Sequence, residues 1–159
     1  MKITLVAVTT SDGFIASNDG NGSFSSKADK QHLRKFLHSD EVDGFIMGQK
    51  TAQEFAEKLS YKPSFVFTHD KSKQDTDRLF YCRDIVEFKA KSALCNHLAL
   101  LGGAEIYEHF LELGIVDELL ITVEENITFG SGVPLKLSLD SFCLVRSEYL
   151  APHHEAFGI

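Results

Sequence analysis

The chain has 159 residues, 43% of them hydrophobic, and carries 16 Lys plus Arg against 23 Asp plus Glu for a formal net charge of −7. That size and apolar content can bury one core, so a single domain over residues 1–159 is expected. The acidic balance argues against a nucleic-acid face, which needs concentrated basic charge, and no run of about 18 apolar residues could span a bilayer.

Taken in chain order, "KITLVAVT", residues 2–9, is nearly continuous in apolar and β-branched residues. It reads as a central strand covered on both faces, not as a targeting signal. The following "SDGFIASNDGNGSFSS" reads as a long irregular loop with a short apolar patch at Phe14, Ile15 and Ala16. From Asp29 onward Leu33, Phe36 and Leu37 recur at helical spacing, which predicts a helix over about 28–39. "VDGFIMG" returns to a buried strand ending at Gly48, and Thr51, Phe55 and Leu59 space a second helix that Pro63 stops. "SFVFT", residues 64–68, is a third strand followed by the charged loop "HDKSKQDTD", and residues 79–88 hold one more short strand. "HLALLGG" is again strand, "AEIYEHFLELG" helix and "VDELLITVEENI" strand, with "SFCLVRSEYL", residues 141–150, as the last strand. Strands alternating with single helices predict an α/β fold, with right-handed crossovers and a mostly parallel sheet flanked by helices on both faces.

Three cysteines, Cys82, Cys95 and Cys143, are an odd number at wide spacings without a CxxC pair. They read as reduced packing residues of a cytosolic protein. His153 and His154 are adjacent on an extended tail, where neighbouring side chains point to opposite sides, so no metal site is expected.

Two strands hand over to helices through glycine, "FIMG" into "QKTAQEF" and "LALLGG" into "AEIYEHF". Backbone N–H groups at helix starts attract phosphate, and a missing side chain lets the anion approach. A glycine pair can equally make only a tight turn, and no third glycine completes GxGxxG.

The segments "VTTSDGFIAS", "VDGFIMGQKTAQEF", "SFVFTHDKS" and "LALLGGAEIYEHFLELGIVDELLITVEENITFGSGVPL" stand in the order and approximate spacing of the dihydrofolate reductase superfamily. The chain resembles it over about residues 2–150. The combination of SDGxIA, MGxxT, GGAExY and VDEL looks most like the riboflavin-biosynthesis branch, whose reductase domain acts on a phosphoribosylamino-pyrimidine. The resemblance implies a dihydrofolate-reductase-like fold with a mixed central sheet, NADPH along its carboxyl edge, a small-molecule substrate and a homodimer. It places Gly48 and Thr51 toward the adenosine and pyrophosphate side, and Gly102, Gly103, Ala104, Glu105 and Ile106 around the pyrophosphate with Tyr107 close by. Ile15 and Ala16 would line the nicotinamide pocket, and Thr68 with the loop after it would meet the adenosine ribose. Lys50, His69 and Lys71 are the nearby basic residues that favour NADPH over NADH, because a 2′-phosphate needs a cationic partner.

On the substrate side, the acid that dihydrofolate reductases carry after the long first loop falls near His32 by a gapless count back from Gly48, with Asp29 one turn earlier. The arginine with which such enzymes clamp the folate tail has no clear counterpart, only Lys62 lying in the neighbourhood, so dihydrofolate is the second reading. Asp12 could orient a ring nitrogen or hold loop geometry. Phe14 stands where the riboflavin branch often has lysine, and a phosphate, if bound, would take Ser25, Ser26, Lys27, Lys30 and Arg34. The rival from another class is a dinucleotide-binding module without catalysis.

Overall fold

The computed structural model describes residues 1–20, 22, 24–136 and 141–150. The elements are β1 (Lys2–Thr10), β2 (Phe14–Ala16), α1 (Lys27–His38), β3 (Gly44–Gly48), α2 (Gln49–Phe55) and β4 (Ser64–Phe67). They continue with β5 (Leu79–Cys82), α3 (Ile85–Lys91), β6 (His97–Leu100), α4 (Ala104–Glu112), β7 (Glu118–Glu124) and β8 (Val133–Pro134). Six strands form one sheet in the order β5-β4-β3-β6-β1-β7. The β4–β5, β3–β4, β3–β6 and β1–β6 pairs are all parallel, as near-continuous apolar strands lead one to expect.

The chain divides into two compact units. The first joins Met1–Ala7 to Asp40–Ile121, and the second joins Val8–Ser39 to the chain from Thr122 onward. Phe45, Phe65, Phe88 and Phe110 are fully buried in the first unit. Phe88 stands edge-on to Phe65 at 5.8 Å and to Phe110 at 5.5 Å, an arrangement that aromatic quadrupoles prefer to face-to-face stacking. In the second unit β2 and β8 make a separate antiparallel pair, and α1 buries Asp29 and Leu37.

Several local expectations give way to tertiary context. β1 lies between β6 and β7, next to the last strand of the sheet and not at its centre. The apolar patch at Phe14–Ala16 is a strand because Val133–Pro134 supplies a partner too short to show as a periodic run. Residues 79–88 hold more than a strand: Asp84 Oδ1 accepts the Glu87 N–H at 2.8 Å and starts α3, a D-x-x-E capping signal that the sequence does contain. α2 ends at Phe55, and turns carry the chain on to Pro63. Residues 141–150 form no strand, and Leu144 and Val145 are 86% and 90% exposed. Strand propensity reports fit to a partnered, half-buried surface, and no ladder receives this segment. Among the cysteines Cys82 is buried, Cys95 half-buried and Cys143 exposed, so packing accounts for only part of the set. No helix among the described residues is long and apolar enough to cross a membrane. His153 and His154 lie outside the described residues.

Candidate active site

In the first unit the carboxyl ends of β3 and β6 both run into glycine N-caps, Gly48 for α2 and Gly103 for α4, and neither helix has a side-chain cap. The two turns are tied together, since Gly48 N donates to Gly102 O at 2.8 Å and Leu101 N to Ile46 O at 2.9 Å. Gly102 has φ +110°, a conformation that L side chains rarely adopt, and a Cβ there would stand 3.0 Å from the Tyr107 hydroxyl. The Gly102–Gly103 peptide is cis. A Cβ on Gly103, by contrast, would meet nothing within 4 Å. Open space therefore stands before a nine-residue helix whose first-turn N–H groups have no partner within the helix. A pyrophosphate fits such a place, because small residues admit it and backbone donors face it.

Tyr107 supports this turn from beneath. Its hydroxyl donates to Val6 O at 2.6 Å, and burial pushes its pKa upward. Ile106 packs over Gly48, where an added Cβ would approach Ile106 Cγ1 to 3.2 Å. Ala104 is half-buried and Glu105 exposed. Thr51 sits half-buried at the third position of α2, so Gly48 and not Thr51 is the capping residue. The side-chain oxygen of Gln49, which the motif reading passed over, is buried without a hydrogen-bond partner at the first position of that helix. Lys50, His69 and Lys71 are exposed. Thr68 is buried, its hydroxyl accepting the Asp70 N–H at 3.0 Å and its own N–H donating to Cys82 O. Lys62 precedes β4, at the opposite end of that strand from Thr68. Burial lowers its pKa while Asp40 and Asp43 hold its charge.

In the second unit the structure singles out Asp29. It is 5% exposed, and burial raises its pKa, opposed by a hydrogen bond from Thr122 and assisted by the nearby Glu124 charge. His32, half-buried one turn along the same face, favours the ionised form. The available signal was an aspartate on the apolar face of α1, in line with Leu33 and Phe36. A buried carboxylate beside a hydroxyl can accept two N–H groups from one edge of a heterocycle and can hold a proton.

The remaining substrate-side candidates separate from it. Ser26 caps α1, its hydroxyl accepting the Asp29 N–H at 3.1 Å while its own N–H donates to Glu124 Oε1 at 2.7 Å. A carboxylate at the helix start opposes the binding of phosphate there. Ser25 is half-buried. Arg34 is exposed and, five residues after Asp29, lies about 140° around the helix from it. Asp12 is exposed and accepts from Thr10 Oγ1 at 2.6 Å, Phe129 N at 3.2 Å and Gly130 N at 2.7 Å. The Thr10 hydroxyl, ahead of the two backbone donors, holds its pKa below the usual value. That geometry is the loop-holding one. Ile15 is half-buried and Ala16 buried in β2.

Comparison with known proteins extends this picture. A curated protein of Mycoplasma pneumoniae (strain ATCC 29342 / M129 / Subtype 1), segregation and condensation protein A, is 31% identical over 118 residues. The match covers 71% of this chain, which spans only 22% of that relative's length. The uncharacterized protein YyaP of Bacillus subtilis (strain 168) is 25% identical over 152 residues, covering 84% of this chain and 79% of that one. A crystal structure named "putative riboflavin biosynthesis protein", from Shewanella sp. PV-4, superposes with a TM-score of 0.64 at 24% identity. It covers 89% of this chain and 86% of that one, and the likeness is one of fold. The model of the family described as dihydrofolate reductase matches residues 2–156. With that match running through both glycine turns and the Asp29 helix, the chain belongs to the dihydrofolate reductase family.

Proposed function

We propose that this protein is an NADPH-dependent reductase of a small nitrogen heterocycle, of the pteridine or aminopyrimidine kind. The observation that carries the reading is Asp29, a buried carboxylate on the apolar face of α1, hydrogen-bonded to Thr122. A ring bearing adjacent N–H donors offers what such a group needs to offset its burial. Bound NADPH would supply a hydride from its nicotinamide ring. The chain's own part is to hold the dinucleotide through the Gly48 and Gly102–Gly103 turns, and to orient the heterocycle through Asp29. Asp29 also keeps a proton near the ring nitrogen that becomes basic as the neighbouring carbon is reduced.

Two substrate classes follow. Asp29 favours a pteridine, since an acid on this helix is what the family's folate-reducing members use. A phosphoribosylamino-pyrimidine of riboflavin synthesis is supported by the SDGxIA and GGAExY motifs and by the name of the Shewanella protein. A homodimer and a cytoplasmic setting belong to the same reading. Titration with NADPH and with NADH, followed by nicotinamide fluorescence, tests the cofactor, and turnover of the two heterocycle classes tests the substrate. NADPH-selective binding with oxidation by one class is expected. Tight NADPH binding without turnover of either would leave the binding-module reading, and absence of binding by folded protein would end the proposal.

A further inference from the structure

β4 and β5 are parallel neighbours, so the eleven residues between Phe67 and Leu79 must return along the full strand length, and they do so without a helix. Crossovers between parallel strands are usually packed down by a helical apolar face. This one is exposed at nearly every position, and β5 is the last strand of the sheet. What holds it is a set of four charged side chains, three of them on or just before α3. Lys91 Nζ reaches Asp75 Oδ2 at 2.9 Å, Glu87 Oε1 at 3.0 Å and the Tyr81 carbonyl at 2.6 Å, which gives each of its three protons an acceptor. Glu87 also accepts from Arg83 Nη1 at 3.1 Å and from the Arg83 backbone N–H at 2.9 Å. Arg83 Nη2 donates to the Lys71 carbonyl at 3.1 Å, and Asp75 Oδ1 accepts the Tyr81 N–H at 2.8 Å. The crossover is thereby fastened at two points, the Lys71 carbonyl and the Asp75 carboxylate, to Arg83, Glu87 and Lys91, and with Asp75 the set holds two cations and two anions.

The first half of this crossover carries Thr68, His69 and Lys71, next to the carboxyl end of β4. We propose that Lys91 is a positioning residue for cofactor discrimination: through Asp75, Glu87 and Arg83 it holds the 68–78 crossover in the one conformation that presents these groups to a nucleotide 2′-phosphate. The inference rests on the NADPH reading above. Exposed ion pairs contribute little singly, but a network that fixes one loop conformation acts on affinity through the fraction of molecules with the loop in place. A ligand that contacts the loop through its 2′-phosphate feels that fraction in full, while NADH, which lacks the phosphate, feels little of it.

The experiment compares wild type with Lys91→Met, which keeps the aliphatic stem and removes the charge, and with Lys91→Arg, which restores the charge. Amide hydrogen exchange over residues 68–78 is measured without ligand, beside NADPH and NADH affinities and kcat at saturating cofactor. Lys91→Met is expected to speed exchange in the crossover and to weaken NADPH about fivefold. NADH affinity and kcat should stay within about twofold, and Lys91→Arg should recover part of the NADPH loss. Unchanged NADPH affinity, or equal weakening of both dinucleotides, overturns the proposal, because the second pattern is what general loosening produces. A wild-type protein that binds neither dinucleotide overturns the cofactor reading itself, an outcome distinct from a wild type that discriminates and a variant that discriminates equally well.

Discussion

The two compact units carry different kinds of chemistry. In the first, the candidate surface is backbone: α2 and α4 start at the glycine caps Gly48 and Gly103, without a side-chain cap. In the second, it is one side chain, the buried carboxylate of Asp29. A backbone cradle has no titratable group, whereas the Asp29 carboxyl is one, and burial raises its pKa above the usual aspartate value. Cofactor affinity and turnover should therefore respond to different substitutions and to pH in different ways.

The largest expected effect comes from Asp29→Asn, which keeps the shape and removes the charge and the proton. Turnover should fall by about 10²- to 10⁴-fold while NADPH affinity is unchanged. Steady-state kinetics beside a cofactor titration checks this, and a variant with near-normal kcat would remove Asp29 from the mechanism. On the other unit, Gly103→Val should weaken NADPH by at least about tenfold, because the new side chain fills the space before α4 without meeting a protein atom within 4 Å of its Cβ. Gly102→Ala makes the internal contrast. Its φ of +110° and the 3.0 Å approach to the Tyr107 hydroxyl set the cost in the fold, about 1–3 kcal/mol, readable by denaturant unfolding. Should both glycine variants act only on stability, the cradle is a turn and nothing more.

The pH response sharpens the same division. Because the folded-state pKa of Asp29 is raised above 3.8, ionising it costs stability as the pH climbs past the unfolded value and through the folded one. Asp29→Asn should thus gain stability relative to wild type between acid and neutral pH, which melting curves at several pH values will show as a difference of the opposite sign if the carboxylate is instead stabilised. Asp12 behaves the other way: its folded pKa is lowered, so its contribution is present above the usual aspartate value and lost as the pH falls through the folded one. Asp12→Ala carries the smallest expected effect, faster amide exchange at Phe129 and Gly130 with turnover retained. A large loss of turnover would return Asp12 to a direct part in the reaction.

Much of the first unit was legible in the sequence. Apolar runs mark β1, β3, β4 and β6, and the glycines at the carboxyl ends of β3 and β6 mark the turns into α2 and α4, because strand burial and helix starts leave local chemical signatures. The Asp84-x-x-Glu87 cap of α3 is equally local, although the short apolar run beside it reads as strand. The second unit was less legible. β2 exists only through its pairing with β8, and "SFCLVRSEYL" reads as strand yet finds no ladder. Burial separates Asp29 from the other polar residues of α1, and burial of one side chain is not contained in local pattern.

What the sequence by itself determined is therefore the class of fold, the glycine turns between strand and helix and the family to which they belong, all properties of short-range periodicity and of residues lacking a side chain. Tertiary structure alone decided which carboxylate is buried, that Asp12 accepts N–H groups from Phe129 and Gly130, and that four charged side chains fasten the 68–78 crossover. Burial, pKa and partner choice depend on groups brought together from positions as far apart as Asp29 and Thr122, and proximity of that kind is created by folding.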